Sequence, residues 1–282
     1  MRSNIPFTDT EFPDVIELRD VSQVYKSDGG PVTVIEGLNL LVEDLPGQGQ
    51  FVVILGLSGC GKSTVMRYIA GLQTPTGGEV FLHGKPRNTQ PPVSMVFQKY
   101  SSLQWRTVLG NVMLPLELRG VRKNEAREQA MAIIEQVGLL GHEKKFAQYP
   151  LLSGGQLQRV AIARSLVFRP DIILMDEPFS GLDVVTKYLM MELLTRLWEE
   201  YQPTIVFVTH DPIQAVFLGD DVYIMASSPG RIVERISVGD LPVFGRNRDT
   251  MKEPRFTELV HEVTDALHRT PSDAIDKGAT EP

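Results

Sequence analysis

The clearest chemical signal in the chain is a glycine-rich run that fits the pattern G-x-x-x-x-G-K-[ST], which is typical of a phosphate-binding loop. Glycines let the backbone turn tightly with its N–H groups facing inward, so that the loop can surround phosphate oxygens. Lys62 supplies an ammonium for the outer phosphates, and Ser63 offers a hydroxyl to Mg²⁺, which prefers hard oxygen ligands. The run therefore predicts a site for a nucleotide with Mg²⁺. The predicted contact residues are Gly56, Ser58, Gly59, Cys60, Gly61, Lys62, Ser63 and Thr64.

The residues on either side of the loop predict the elements that would position it. The apolar run 51–55 has the length and β-branched content of a buried strand. After the loop, apolar residues between 65 and 70 recur at helical spacings, and Gly71 ends the pattern. A helix that begins there would direct about half a positive charge at the same phosphates. The alternative is a glycine-rich turn before an ordinary helix, but the order of strand, loop and helix favours the nucleotide site.

Two acidic residues, Asp176 and Glu177, directly follow the apolar run 172–175. The run predicts a short buried strand, and α/β sheets bind their ligands at the carboxyl ends of strands. Asp176 is predicted to hold Mg²⁺, either as a direct ligand or through another ligand of the ion. Glu177 is predicted to orient or deprotonate an attacking water. The alternative, an acidic strand end that faces solvent, is less favoured in a chain that also carries a phosphate-binding loop.

The stretch 152–164 (LSGGQLQRVAIAR) predicts a second helix start that could hold an anion. Ser153 is suited to cap this helix, and the two glycines after it leave room for a ligand to approach. The positive end of the helix would attract negative charge. The alternative is an ordinary capped helix. The residues predicted to form this anion site are Ser153, Gly154, Gly155 and Gln156.

Composition limits the class of protein. A chain of 282 residues, 42% of them hydrophobic, is long enough for one or two domains with a sizeable core. The net charge of −7 argues mildly against a nucleic-acid surface. The single cysteine excludes an internal disulfide and suits a reducing compartment. The sequence shows neither an N-terminal signal peptide nor an apolar run of the roughly 18 residues that cross a bilayer, so we expect a cytoplasmic protein.

The order of the predicted elements indicates an α/β protein. Alternating apolar residues near the N-terminus predict an antiparallel β layer, and apolar runs that alternate with helices predict a parallel sheet covered on both faces. Helical patterns at 123–137 and 153–167 predict a mainly helical insertion. The predicted organisation is a flexible arm at 1–14, an α/β domain at 15–240 with a helical subdomain inserted at about 99–167, a C-terminal extension at 241–269 with a last helix, and a disordered tail at 270–282.

The loop at 56–64, the stretch 152–156 and the run 172–177, in this order, resemble the motifs of an ATP-binding cassette (ABC) ATPase subunit. The resemblance covers about residues 15–240 and implies an ABC-type P-loop NTPase core. It also implies roles for a glutamine that reaches Mg²⁺ and the attacking water, an aspartate of the D-loop, a switch histidine that contacts the γ-phosphate, and an aromatic residue that stacks on adenine. These residues are Gln98, Asp183, His210 and Tyr25, respectively. Each could be merely structural, but their order along the chain favours the functional roles.

The resemblance implies a mechanism that needs two chains. In ABC proteins, ATP lies between the phosphate loop of one cassette and the signature sequence of another, which here is 153–156. Because this chain carries one of each, the resemblance implies a head-to-tail dimer with two-fold symmetry, most simply a homodimer. ATP and Mg²⁺ are the implied cofactors. The implied catalytic residues are Lys62, Gln98, Glu177 and His210, and the implied metal-binding residues are Ser63, Gln98 and Asp176.

The chain resembles the ATPase subunit of a transporter more than other ABC proteins, because it shows one compact cassette without a heptad run or a basic patch. The implied partners are integral membrane permease subunits and a periplasmic or extracellular substrate-binding protein, with no nucleic acid. The implied location is the cytoplasmic face of the inner membrane. Residues 99–120 would contact the permease, and four of them could form an apolar groove there or could instead pack the helical subdomain. The four are Trp105, Val108, Met113 and Leu116.

Two stretches resemble the nitrate, sulfonate and taurine import family, namely 103–108 (LQWRTV) and 227–233 (SSPGRIV), the latter followed by 254–256 (PRF). Gln104 and Gly181 depart from the proline and alanine that are usual in that family. The stretch 111–116 (NVMLPL) also resembles lipoprotein-release and macrolide-type exporters. The sequence therefore predicts the import of a small anion such as nitrate, sulfonate or taurine. The alternatives are an exporter ATPase and a soluble ABC ATPase without a transport role.

Overall fold

The computed structural model describes residues 14–27, 30–45, 47–98, 101–239, 241–242 and 245–270. The predicted arm at 1–14 and tail at 270–282 lie outside the described residues, apart from Asp14 and Thr270. The strands are β1 (Ile16–Ser27), β2 (Gly30–Val42), β3 (Phe51–Gly56), β4 (Gly77–Leu82), β5 (Lys85–Pro86), β6 (Ser94–Val96), β7 (Ile172–Asp176), β8 (Thr204–Thr209), β9 (Asp221–Ala226) and β10 (Arg231–Ser237). The helices are α1 (Lys62–Ala70), α2 (Val108–Leu118), α3 (Lys123–Gln136), α4 (Gly154–Leu166), α5 (Val184–Tyr201), α6 (Pro212–Leu218) and α7 (Pro254–His268). Two 3₁₀ helices span Arg87–Thr89 and Thr250–Lys252.

The chain divides into two compact units, one formed by Met1–Val93 with Val206–Pro282 and the other by Ser94–Ile205. In the first unit, an antiparallel sheet has the strand order β2-β1-β4-β5, and this sheet is the predicted N-terminal β layer. The same unit carries a second run of neighbouring strands in the order β10-β9-β3-β8, where β3 is parallel to β9 and β10 is antiparallel to it.

The core of the first unit lies around β3 and α1. Every residue of β3 is buried, as expected for a central strand that is covered on both faces. Seven of the nine residues of α1 are buried, and Val65, Met66, Tyr68 and Ile69 are among them. Helix α6 packs on β3, and α7 packs on α6 and β9. The strand that ends in the phosphate-binding loop is therefore held on both sides.

The second unit contains most of the predicted helical subdomain. Strand β6 is parallel to β7, and β7 is buried along its whole length. Helices α2, α3 and α4 pack against one another. The helices predicted at 123–137 and 153–167 are present as α3 and α4, each within a residue of the predicted bounds. None of the helices in the described part of the chain is both long and apolar enough to span a bilayer.

The packing of α2 corrects one sequence hypothesis. Val108, Met113 and Leu116 are buried in the helical subdomain, so they do not form an apolar groove on its surface. For these three residues the packing alternative is the right one. Trp105 differs from them, because 73% of its surface is exposed.

Candidate nucleotide site

The glycine-rich loop joins β3 to α1 with backbone geometry that suits an anion site. Gly59 and Gly61 have φ values of 84° and 102°, which strain any residue that carries a side chain. Gly61 precedes the first residue of α1, and no side chain caps this helix. A helix start presents N–H groups without carbonyl partners inside the helix, and it carries the positive end of the helix dipole. The loop therefore offers backbone donors and partial positive charge at one place.

Lys62 is buried beside this loop. Its ammonium donates hydrogen bonds to the carbonyl oxygens of Gly56 and Leu57, both at 2.9 Å. These contacts hold the charge next to the N–H groups of the loop. The predicted contact of Lys62 with the outer phosphates stays a prediction, and it would exchange these carbonyls for phosphate oxygens.

The reverse side of the loop is packed too closely for extra atoms. A Cβ on Gly56 would lie 2.7 Å from both Cys60 Sγ and the carbonyl oxygen of Met225. A Cβ on Gly230 would lie only 2.2 Å from the carbonyl oxygen of Cys60. Gly230 is fixed there because its N–H donates to the carbonyl of Val34 at 2.7 Å. The glycine of the SSPGRIV stretch therefore braces the phosphate-binding loop from behind, a role that sequence reasoning did not find.

The second unit brings Gln98 and Glu177 together, although 79 residues separate them in the chain. Gln98 Nε2 donates to Glu177 Oε2 at 3.4 Å. Asp176 is buried and is the last residue of β7, which extends one residue beyond the predicted run 172–175. Glu177 follows with a φ of 42°, which is uncommon for a residue with a side chain. Such backbone strain concentrates at functional sites, and this outlier supports a functional role for Glu177.

Ser153 caps α4 as predicted, and the contact is reciprocal. The Gln156 N–H donates to Ser153 Oγ at 3.3 Å, while the Ser153 N–H donates to Gln156 Oε1 at 2.9 Å. This capping box fixes both side chains of the signature stretch at the helix start. His142 lies beside them, with its Nε2 at 3.4 Å from Gln156 Nε2. Because the amide nitrogen can only donate, His142 Nε2 acts as the acceptor.

Asp183 caps the next helix, α5. Its carboxylate accepts from the Thr186 N–H at 3.0 Å and from the Thr186 hydroxyl at 2.6 Å. These two bonds hold the pKa of Asp183 below its usual value, with the hydroxyl contact as the larger cause. Thr186 also lies over the signature stretch, because a Cβ on Gly155 would come 2.8 Å from Thr186 Cγ2. The second glycine of the signature is therefore needed where α5 begins.

The first unit holds the two remaining predicted residues. His210 is exposed directly after β8 and directly before Asp211, which caps α6 by accepting from the Ile213 N–H at 2.9 Å. Tyr25 is 38% exposed, and its hydroxyl accepts from Gln73 Nε2 at 2.8 Å. The hydroxyl contact fixes the ring while leaving part of it accessible.

A buried asparagine holds the loop that exposes Trp105. The side chain of Asn111 accepts from the Leu103 N–H at 2.8 Å and donates to the carbonyls of Leu103, Arg106 and Thr107 at 3.0–3.2 Å. Asn111 has no exposed surface. Its four bonds add to the backbone bonds of the loop, in which the Arg106 N–H donates to the Leu103 carbonyl and the Ala147 N–H donates to the Arg106 carbonyl, both at 3.0 Å. The exposed indole therefore stands on a fixed support. Other exposed apolar residues of the same unit include Phe146, Tyr149 and Leu151.

Each residue predicted to bind Mg²⁺ carries an oxygen donor. Within the described residues, no group of three or more His, Cys, Asp and Glu side chains could hold a metal ion. Nucleotide-bound Mg²⁺ takes most ligands from phosphates and water, and only one or two from protein. The Ser63 hydroxyl in the first unit is an oxygen donor of this kind, and so are the Asp176 carboxylate and the Gln98 amide oxygen in the second unit.

Comparisons with known proteins agree with these features. Residues 45–180 match the family model of the ABC transporter. The chain is 39% identical to the nitrate import ATP-binding protein NrtD of Synechocystis, over 89% of this chain and 94% of that protein. It is 40% identical to the taurine import ATP-binding protein TauB of Rhizobium johnstonii, over 84% and 90% of the two chains. The dimeric structure of MJ0796, a bacterial ABC transporter cassette, is 32% identical, has a TM-score of 0.68, and is matched over 79% of this chain and 98% of that one.

Proposed function

Because this chain belongs to the ABC transporter family as an ATP-binding subunit, and is therefore an ATPase, we propose that it powers the import of a small anion across a membrane. The observation that carries the import step is the similarity, over more than four fifths of each chain, to proteins named for the import of nitrate and of taurine. The same similarity favours import over the exporter and the soluble ATPase that the sequence left open.

We further propose that ATP is bound between two copies of the chain. The phosphate-binding loop and the start of α4 would be two separate anion sites, and they lie in different compact units. The head-to-tail arrangement would place the loop of one copy against Ser153–Gln156 of the other, so that both contact the γ-phosphate. The similar cassette MJ0796 is described as dimeric, which supports this arrangement. Loss of the γ-phosphate would remove contacts on both sides and separate the copies.

Hydrolysis would proceed by in-line attack of water on the γ-phosphorus, with release of ADP and phosphate. Glu177 would orient the water and accept its proton, and the bond from Gln98 would hold the carboxylate in place. Lys62 and His210 would stabilise the charge on the γ-phosphate oxygens. Mg²⁺, bound through Ser63, Asp176 and Gln98, would neutralise charge on the phosphates. The adenine would stack on the exposed part of Tyr25.

The exposed Trp105 loop is the surface that we propose for the permease. An indole with 73% exposure, on a support fixed by Asn111, is suited to receive a helix of a membrane subunit. Through this contact the subunit would work at the cytoplasmic face of the inner membrane. A substrate-binding protein outside the membrane would deliver the anion to the permease.

The proposal is tested by uptake measurements in a strain that lacks this gene. Labelled nitrate, taurine and a simple alkanesulfonate are offered to cells that carry the empty vector, the intact gene or the Glu177→Gln variant. We expect the intact gene alone to restore uptake of at least one anion. Equal uptake in all three strains, with unchanged ATPase activity of the purified protein, would refute the import function and leave the ATPase assignment intact.

A further inference from the structure

Arg246, in the C-terminal extension, is almost completely buried and grips the end of α6. Its Nη1 donates to the carbonyl oxygens of Phe217 and Gly219, at 3.2 and 2.7 Å, and its Nε donates to the carbonyl of Pro242 at 2.6 Å. Only 4% of the residue is exposed. A helix C-terminus leaves carbonyls without partners and carries partial negative charge, so a guanidinium is well suited to this place.

The same arginine reaches the strand that carries the phosphate-binding loop. Its Nη2 lies 3.6 Å from Asp220 Oδ1, and Asp220 Oδ2 accepts from the Phe51 N–H at 2.8 Å. Phe51 is the first residue of β3, whose last residue begins the loop. Burial raises the pKa of Asp220 and lowers that of Arg246. The charge on each residue partly offsets the pKa shift of the other. Each charge would therefore be costly to bury without its partner.

The other end of α6 adjoins His210. Asp211 caps this end, and Thr209 is tied to the helix because its hydroxyl donates to Gln214 Oε1 at 3.1 Å. His210 stands between these two fixed residues. Helix α6 has only seven residues, which is about 10 Å of length. A helix this short moves as one body, so a displacement at its C-terminal end is carried to His210.

We propose that Arg246 is a positioning residue, which fixes His210 by clamping α6 to the start of β3. The inference rests on the proposed contact of His210 with the γ-phosphate. If the clamp is released, His210 shifts while the loop that holds the α- and β-phosphates keeps its own hydrogen bonds. Handling of the γ-phosphate is then impaired, and binding of ADP, which lacks that phosphate, is preserved.

The experiment compares four variants of the full chain with the intact protein. Arg246→Met is combined with Asp220→Asn, so that the partly buried carboxylate is not left without its partner. Arg246→Lys keeps the charge in case the first variant does not fold. The matched control is Arg235→Met, because Arg235 forms ion pairs with Asp221 at 2.8 Å and Glu43 at 3.8 Å, two residues outside α6. His210→Ala serves as the reference for loss of the histidine. The measurements are kcat and KM for ATP, the Kd for ADP, and the melting temperature.

We expect the Arg246→Met, Asp220→Asn variant to lower kcat by about tenfold to a hundredfold, the range for small misplacements of catalytic groups. The Kd for ADP should stay within about twofold of the intact protein, and Arg246→Lys should recover part of kcat. The control should keep its kcat. An unchanged kcat in both Arg246 variants, beside an inactive His210→Ala, would overturn this inference and leave the proposed function standing. Parallel losses of kcat and ADP affinity would show that Arg246 has only a structural role, and this result would also overturn the inference. Full activity of His210→Ala would refute the role of the histidine, and the inference with it.

Discussion

Replacement of Gly230 by alanine tests whether the stretch behind the phosphate-binding loop controls nucleotide binding. The new Cβ would lie 2.2 Å from the carbonyl oxygen of Cys60 and 3.0 Å from that of Val34, whereas ordinary contact begins at 3.4 Å. Both neighbours are backbone atoms, which cannot rotate away as a side chain would. The loop must therefore retreat by about 1 Å, a displacement that can cost about a hundredfold in catalytic efficiency.

We expect Gly230→Ala to lower kcat/KM for ATP by about ten- to a hundredfold, mainly through KM, and to lower the free energy of unfolding by about 1–3 kcal/mol, the usual cost of overpacking. Initial rates over a range of ATP concentrations and a denaturant titration give the two quantities. Gly77→Ala is the control, because its Cβ would meet only Ser22 Cβ at 3.7 Å. A Gly230→Ala protein whose KM and stability equal those of the intact chain would show that the loop does not depend on this brace.

Three further expectations concern the site and the permease contact. Glu177→Gln should lower turnover by about a hundredfold or more and accumulate an ATP-bound dimer on size-exclusion chromatography, and normal turnover would remove Glu177 from its role. Ser153→Ala should cost about 1 kcal/mol of stability and abolish ATP-dependent dimerisation, while the monomer still binds ATP in equilibrium dialysis. If the monomer lost ATP binding as well, the two anion sites would not belong to different copies. Asn111→Ala should leave the ATPase activity of the isolated subunit unchanged but reduce its co-purification with the permease, because the Trp105 loop would lose four hydrogen bonds.

The elements that sequence reasoning predicted are those whose signal is local. The strands β3, β7, β8 and β9 are continuous apolar runs, and α3 and α4 have clear helical periodicity. Helices α2 and α6 and strand β10 are among the elements that were missed. Helix α2 contains Pro115, which weakens a helical pattern, and α6 has only seven residues. Strand β10 pairs with one neighbour at the edge of the sheet, so polar residues interrupt its pattern.

The same distinction applies to the candidate site. The loop glycines, Ser153 and the carboxylates after β7 belong to short motifs, in which each residue type has a local geometric reason. The close approach of Gly230 to Cys60 and the grip of Arg246 on α6 join residues that are far apart in the chain. No spacing rule predicts such contacts, because they depend on how separate elements pack. The sequence predicts which residues could do the chemistry, whereas the structure is needed to identify the residues that position them.

Because Glu177 has a positive φ, thermal stability and turnover favour different residues at position 177. Glycine would occupy this conformation without steric conflict, and asparagine would tolerate it better than glutamate does. A library selected only for survival at high temperature should therefore enrich variants that have lost the carboxylate. Improving the durability of this subunit would require that position 177 be held constant while the remainder of the chain is allowed to vary.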